Sequence, residues 1–316
     1  MSSIHIDIKR IEFVITNTCS GKCRHCSAAL PEFENGSVDA EIAVNAIKQL
    51  TGRYAVESLM TFGGEPLLYA DTTCKIHAAA RDCGIPIRQI ITNGFFSRDK
   101  QRIEDVAEAL CASGANDVLL SADAFHQEYI PVEPVIFFAE SLIKNGIPKL
   151  RVHPAWLVND HDQNPYNVKT IRILKMFKDK GIESSKGNNI FPAGNALKYL
   201  RNYFQLPETL DLSVPCGQMP YTSRLDEIDS ISINPNGDLI LCSFSIGNVC
   251  KNDVISVIDG YDPYRNPATR ALMEGGAGRL LDYANKLGAA VDTSGCFTAC
   301  EVCRKVMAVL KNEGVL

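Results

Sequence analysis

Residues 12–26 read Glu12-Phe13-Val14-Ile15-Thr16-Asn17-Thr18-Cys19-Ser20-Gly21-Lys22-Cys23-Arg24-His25-Cys26. The apolar, β-branched run at 12–16 predicts a strand, and three cysteines follow it in a Cys-x3-Cys-x2-Cys spacing. Three thiolates this close, on a loop at a strand's carboxyl end, can surround one soft metal centre. A four-iron cluster on three protein thiolates keeps one iron open for a further ligand. A structural zinc ion would want a fourth protein ligand. His25 is the near one, and it stands too tight among the cysteines for a usual zinc knuckle. The spacing favours iron–sulfur, with zinc as the alternative.

Working outward, further strand candidates fall at 58–62, 87–92, 117–121, 150–157 and 188–191. Between them lie segments of helical spacing. Ala40, Ala43, Val44, Ile47 and Leu50 share one face, with Ser37 or Asp39 placed as N-cap. Other helices are expected near 72–82, 101–112, 134–144 and 166–180, and Gly84, Gly146 and Gly181 stand where C-terminal caps belong. Six strand–helix repeats predict an α/β fold with a parallel sheet, doubly wound or curled into a full or partial barrel. Either arrangement puts the reactive site at the carboxyl ends of the strands. After about residue 200 the rhythm changes. Segments 230–234 and 238–242 flank Pro235-Asn236-Gly237, which predicts a hairpin with a tight type I′ turn. A Gly-rich stretch at 275–278 and a cysteine-bearing terminal helix complete a small α+β module. The expected division is 1–200 and 201–316, sharing a surface because no long linker or repeat separates them.

Composition narrows the functional classes. A net charge of −5 gives no general basic field, which argues against nucleic acid or an anionic membrane as partner. No apolar run approaches the roughly 20 residues that span a bilayer, and the N-terminus lacks the apolar stretch of a signal peptide. The expectation is a cytoplasmic protein, in which twelve cysteines point to metal rather than disulfides. Cys74, Cys83 and Cys111, scattered through helical segments, read as small buried hydrophobes.

The Cys-x3-Cys-x2-Cys run after the first strand of a repeated β/α chain resembles the radical S-adenosylmethionine (SAM) superfamily. The resemblance implies a partial (β/α)6 TIM-like barrel. It implies a [4Fe–4S] cluster on Cys19, Cys23 and Cys26 whose open iron chelates SAM, and a 5′-deoxyadenosyl radical that abstracts a substrate hydrogen. Gly63-Gly64-Glu65-Pro66 resembles the motif that receives the SAM amino group, and Thr92-Asn93-Gly94 a turn lining the same pocket. Ser121-x-Asp123 is similar to the ribose-binding position. Asn189-Ile190-Phe191-Pro192-Ala193-Gly194 is similar to the segment that lies against adenine, and the main chain of His25 faces the same ring. Arg151 or His153 is a candidate for the SAM carboxylate or the substrate. Asp123, His126, Glu128, His153, Asp160 and His161 are expected near the barrel mouth.

Cys216, then Gly237-x4-Cys242, then Cys300-x2-Cys303 resembles the shortened auxiliary-cluster domain called Twitch, a cut-down SPASM domain. That implies a second [4Fe–4S] cluster on Cys216, Cys242, Cys300 and Cys303, with a zinc site as the alternative. Cys250 and Cys296 are left over, and Cys296-x3-Cys300-x2-Cys303 repeats the N-terminal spacing, so the choice of four stays open. A leftover thiol facing the substrate is a candidate hydrogen-atom donor, as an epimerase needs. The resemblance implies an enzyme that modifies a ribosomal peptide by epimerisation or crosslinking, served by a flavodoxin- or ferredoxin-type reductant. The first strand begins almost at once, so a fused leader-binding winged-helix domain is not expected. The alternatives are a dehydrogenase or epimerase of a sugar- or aminocyclitol-like small molecule, maturation of a protein residue, and a non-catalytic iron–sulfur or zinc protein.

Overall fold

The computed structural model describes residues 4–27, 36–217, 223–242 and 244–312. Five parallel strands stand side by side in chain order: β1 (His5–Val14), β2 (Ser58–Phe62), β3 (Ile87–Thr92), β4 (Asp117–Leu120) and β5 (Leu150–Val152). Between them run α1 (Ala40–Arg53), α2 (Ala70–Asp82), α3 (Lys100–Ala112) and α4 (Val132–Lys144). A short pair, β6 (Ala155–Trp156) and β7 (Asn188–Asn189), flanks α5 (Pro165–Lys178) and is followed by α6 (Asn195–Tyr199). The chain then forms β8 (Glu227–Ile233), β9 (Asp238–Leu241), β10 (Phe244–Asn248), α7 (Val254–Asp259), α8 (Pro267–Lys286) and α9 (Ala299–Asn312). This is the expected α/β arrangement, a partial TIM-like barrel with C-terminal elements added to it.

Side-chain caps fix the starts of α1 and α5. Asp39 caps α1 by accepting from the backbone of Glu41 and Ile42 at 2.8 and 3.0 Å. Asn164 does the same for α5, with Pro165 at the first helical position. In β1, Ile11 and Phe13 are fully buried in one core cluster with Ile47 and Leu50 of α1, while Arg10 and Glu12 take the opposite face.

Four expectations change in the structure. First, β1 begins at His5, because β8 pairs with it in parallel from His5↔Glu227 to Phe13↔Ile233. One eight-stranded sheet, ordered β10-β9-β8-β1-β2-β3-β4-β5, therefore runs through both halves of the chain. Ile231 and Ile233 of β8 and Val302 and Val306 of α9 share the core cluster of α1. Second, the 150–157 segment is two strands, broken at Pro154, which has no N–H for a ladder. Third, the sixth barrel segment starts before 188. It pairs with the broken strand through Val152 N–H to Glu183 O (2.9 Å), Ser185 N–H to Val152 O (2.8 Å) and Ile190 N–H to Trp156 O (2.8 Å). Gly187 permits this, since a Cβ there would lie 2.2 Å from the Pro154 oxygen. Fourth, the hairpin turn is not type I′. Gly237 N–H donates to Asn234 O at 2.9 Å, making Pro235 and Asn236 the central residues. The proline ring fixes a negative φ, and Gly237 follows at φ +82, which is a type I turn with a glycine bulge.

Inside the barrel a row of polar side chains crosses six strands. Ser232 donates to Glu12 (2.8 Å) and Arg10 to Glu12 (2.7 Å). Arg10 also reaches Gln89 (3.3 Å), Gln89 donates to Asp117 (3.1 Å), and Arg151 donates to Asp117 (2.5 Å). Arg151 is thus spent on Asp117, toward the amino end of β4, and does not line the cavity described below. Replacing Asp117 by alanine leaves the half-buried Arg151 without its partner and should cost about 1–3 kcal/mol of stability. Urea denaturation checks this; an unchanged midpoint contradicts the assigned role of the row.

Candidate functional site

The loop carrying Cys19, Cys23 and Cys26 is gripped from two sides by backbone. On one side Gly64 N–H donates to Thr16 O (2.7 Å) and Glu65 N–H to Thr18 O (2.9 Å). The approach is close enough that a Cβ on Gly64 would sit 2.1 Å from the Thr18 oxygen. On the other side Asn195 N–H donates to Cys26 O (2.9 Å) and its side chain to Cys23 O (3.2 Å). Two donors already point at one sulfur, Gly21 N–H at 3.4 Å and the Asn93 amide at 3.6 Å from Cys19 Sγ. Burial, with repulsion from Glu65 and Cys26 added, pushes the Cys19 thiol up to about 11, and burial with Asp123 and the other two thiols pushes Cys23 higher still. Such a set gives up its protons to a cation placed among the sulfurs, which is what an iron–sulfur cluster supplies.

The neighbouring turns are tied together by Glu65. Its fully buried carboxylate accepts from Thr92 Oγ1 (2.6 Å), Asn93 N–H (2.8 Å) and Leu67 N–H (3.0 Å). Gly63 and Gly64 line the cavity wall, whereas Glu65 and Pro66 lie behind it. The carboxylate therefore shapes the wall and does not face into the cavity. Burial pushes the Glu65 carboxyl up to about 7, with those three hydrogen bonds opposing the shift in part. Ser121 and Asn93 also line the cavity, and Ser121 N–H donates to Thr92 O at 2.7 Å.

Asp123 is fully buried beneath His126. Burial opposes its charge, but His126 Nδ1 at 2.8 Å and backbone N–H donors from Phe125, His126 and Ala155 outweigh that and hold the carboxyl well below the usual range. His25 packs against the rings of Phe125 and His126 at 5.1 and 4.8 Å, and burial pushes it down to about 4, so it is neutral. Ligand atoms of His25, Asp123 and His126 lie within 4.8 Å of one another. Since the Asp123 oxygens already accept four hydrogen bonds, the trio reads as a wall rather than an ion site.

One cavity of 1570 Å³ connects this wall to the C-terminal cysteines. Its lining includes Cys19, Cys23 and Cys26, the expected adenine-side Ile190 and Phe191, and all of Cys216, Cys242, Cys300 and Cys303. Burial first and the other three thiols next push Cys303 up to about 12; burial, Cys242 and Cys300 push Cys216 to about 11. Cys300 and Cys303 stand one turn apart on α9. Cys242 holds φ +55, an uncommon conformation for a residue with a Cβ, at the tip between β9 and β10. Cys216 arrives on a segment seated in a break of α8. A Cβ on Gly276 (φ +65) would lie 2.5 Å from the Leu212 and Val214 oxygens.

The remaining sequence candidates sit elsewhere. Cys250 packs against the hairpin turn, with Sγ 3.8 Å from Asn236 O, and Cys296 lies in the core cluster; neither lines the cavity. Cys296 precedes α9, so its side chain does not continue the helical face of Cys300 and Cys303. Cys74, Cys83 and Cys111 are half-buried against core clusters. His126 and His153 line the cavity, Glu128 pairs with Arg24 at 3.3 Å, and His161 and Asp160 face each other at 3.5 Å outside it. Tyr129, Asn195, Lys198 and Arg304 also line the cavity and carry no sequence motif; Asn195 and Lys198 come from α6, Arg304 from α9 and Tyr129 from the loop before α4.

Residues 13–195, well over half the chain, match the sequence profile of the Radical SAM superfamily. The chain is 28% identical over 143 residues to a probable GTP 3′,8-cyclase of Methanocaldococcus jannaschii, covering 45% of this chain and 45% of that protein, less than half its length. The fold is similar to that of anSMEcpe with bound AdoMet, that is SAM, at a TM-score of 0.53 and 13% identity over 97% of both chains. It is also similar to native anSMEcpe with bound AdoMet and Kp18Cys peptide, at 0.51 and 12% over 96% of this chain and 97% of that one.

The raised Glu65 carboxyl has a thermodynamic signature. The folded state holds its proton up to about pH 7, whereas the unfolded chain releases it near 4.3. Between those values the folded state binds more protons, so this group makes stability fall as pH rises. Glu65→Gln should flatten that slope in urea midpoints measured across this range; an identical slope in the variant contradicts the assignment.

Proposed function

Because the chain belongs to the radical SAM superfamily, and is an enzyme that binds a [4Fe–4S] cluster and SAM, we propose that it modifies a peptide held in the cavity between two clusters, by epimerisation or crosslinking. The observation that carries this reading is the single cavity lined by both thiol sets. At 1570 Å³ it exceeds the roughly 300–1,000 Å³ of a small-molecule site, which suits a chamber for cofactors and a peptide segment together. The likeness to the peptide-bound anSMEcpe structure supports the fold's capacity for such an occupant.

In this reading Cys19, Cys23 and Cys26 hold the first cluster. When bound, that cluster and SAM would supply the radical chemistry that abstracts a substrate hydrogen, with the electron coming from an external flavodoxin- or ferredoxin-type protein. The chain's own residues bind, orient and keep out water. The bare backbone of Gly63 and Gly64 receives the SAM amino group, Ser121 the ribose, and Ile190 and Phe191 the adenine. Asn93, through its amide at 3.6 Å, steadies Cys19 and hydrogen-bonds to its sulfur. Cys216, Cys242, Cys300 and Cys303 hold the second cluster, and four protein thiolates suit it to electron transfer or a structural task. The barrel at 1–200 carries the first centre, and 201–316 carries the second.

Anaerobically reconstituted protein should contain about eight irons, and Cys19→Ala/Cys23→Ala/Cys26→Ala about four. That triple variant should form no 5′-deoxyadenosine with SAM and dithionite, while wild type does. Retained cleavage in the triple variant contradicts the proposal, and an iron content of about four in wild type removes the second cluster.

A further inference from the structure

The cavity departs from the rest of the chain in charge. The protein has 37 acidic and 32 basic residues. Among the described residues, however, the cavity lining contains Lys22, Arg24, Lys198 and Arg304 and no aspartate or glutamate. The acids nearest the wall are turned away. Glu65 and Asp123 are fully buried and engaged by backbone donors, and Glu128 is occupied by Arg24. Arg304 and Lys198 have no carboxylate partner among the described residues; each lies against an aromatic ring. The Arg304 guanidinium sits 5.8 Å from the centre of Phe191, and the Lys198 ammonium 5.0 Å from that of Tyr199. A guanidinium resting on a ring keeps its N–H edge available for the two oxygens of a carboxylate or phosphate.

We infer that the substrate carries an anionic group, a carboxylate or a phosphate, and that Arg304 and Lys198 seat it in the cavity. This rests on the cavity being the substrate chamber. An aminated sugar would find no carboxylate on the described lining to receive its ammonium group, which selects against that class. Thiolates at Cys300 and Cys303 also attract Arg304, their neighbour on α9. Lys198, exposed on α6 and outside both thiol sets, has no such alternative task. On a peptide the anion is an acidic side chain or the C-terminal carboxylate; on a small molecule it is a phosphate ester.

Calorimetric titration of the reconstituted, SAM-loaded protein tests this with two matched pairs of probes. One is N-acetylated, C-amidated tetraglutamate against the tetralysine counterpart; the other is glucose 6-phosphate against glucose. At least one anion should bind about tenfold or more tightly than its counterpart, and the arm that does so identifies the source. Arg304→Gln and Lys198→Gln should each reduce that preference several-fold, and Arg304→Lys should restore part of it. Iron is counted in each variant; should Arg304→Gln lose a cluster, Lys198→Gln decides. No anion preference in wild type, or a preference that survives both glutamine variants, overturns the inference. Wild-type SAM cleavage is scored separately, so its absence removes the proposed function without bearing on the anion result.

Discussion

The site depends on one constraint: the cysteine loop is clamped at both ends by backbone from other parts of the barrel. Gly64 and Glu65 donate to Thr16 and Thr18 on one side, and Asn195 donates to Cys26 on the other. These contacts leave no room for a Cβ at Gly64, and a Cβ at Gly194 would come within 2.8 Å of the Cys26 oxygen. The loop that carries the three cysteines is therefore held by main-chain groups that have no rotamer freedom to lose. Glu65 extends the clamp to the next strand, since its carboxylate joins the turns after β2 and β3.

The second consequence concerns how the two halves are held. β8 adds to β1 as a parallel strand, and the apolar side chains of α9 enter the same core as those of α1. The C-terminal thiols are thus mounted on the barrel's own sheet and core, not on a loosely docked module. That fixes the width of the chamber between the two cysteine sets, and a fixed width matters for a reaction in which position and exclusion of water are the protein's contribution.

Much of this was legible in the sequence, for identifiable reasons. β2 and β3 have the predicted bounds because short apolar, β-branched runs between turn residues admit few other readings. Cys19, Cys23 and Cys26 stand out by their spacing alone, whereas Cys216, Cys242, Cys300 and Cys303, which line the same cavity, are singled out only by the resemblance to a Twitch domain. The start of β1 was missed because His5–Val14 has one face on the core and one on the polar row, so its alternation looked like surface chain. Of the pair Arg151 or His153, His153 lines the cavity and Arg151 reaches back to Asp117, because a strand pattern gives the face of a side chain but not its depth. The Gly-Gly-Glu-Pro motif does not reveal that three donors inside the protein already hold the Glu65 carboxylate. The cations of the chamber, Lys198 and Arg304, meet only in three dimensions.

The central claim is that the cluster on Cys19, Cys23 and Cys26 binds SAM through an open iron, independently of the C-terminal thiols. Its most direct test is electron paramagnetic resonance of dithionite-reduced Cys216→Ala/Cys242→Ala/Cys300→Ala/Cys303→Ala protein, which isolates that cluster, with and without SAM carrying 15N at its amino group. The account predicts a [4Fe–4S]+ signal that changes shape on adding SAM and shows a coupling to the labelled nitrogen. A cluster signal that SAM leaves unchanged, with no nitrogen coupling, would contradict it.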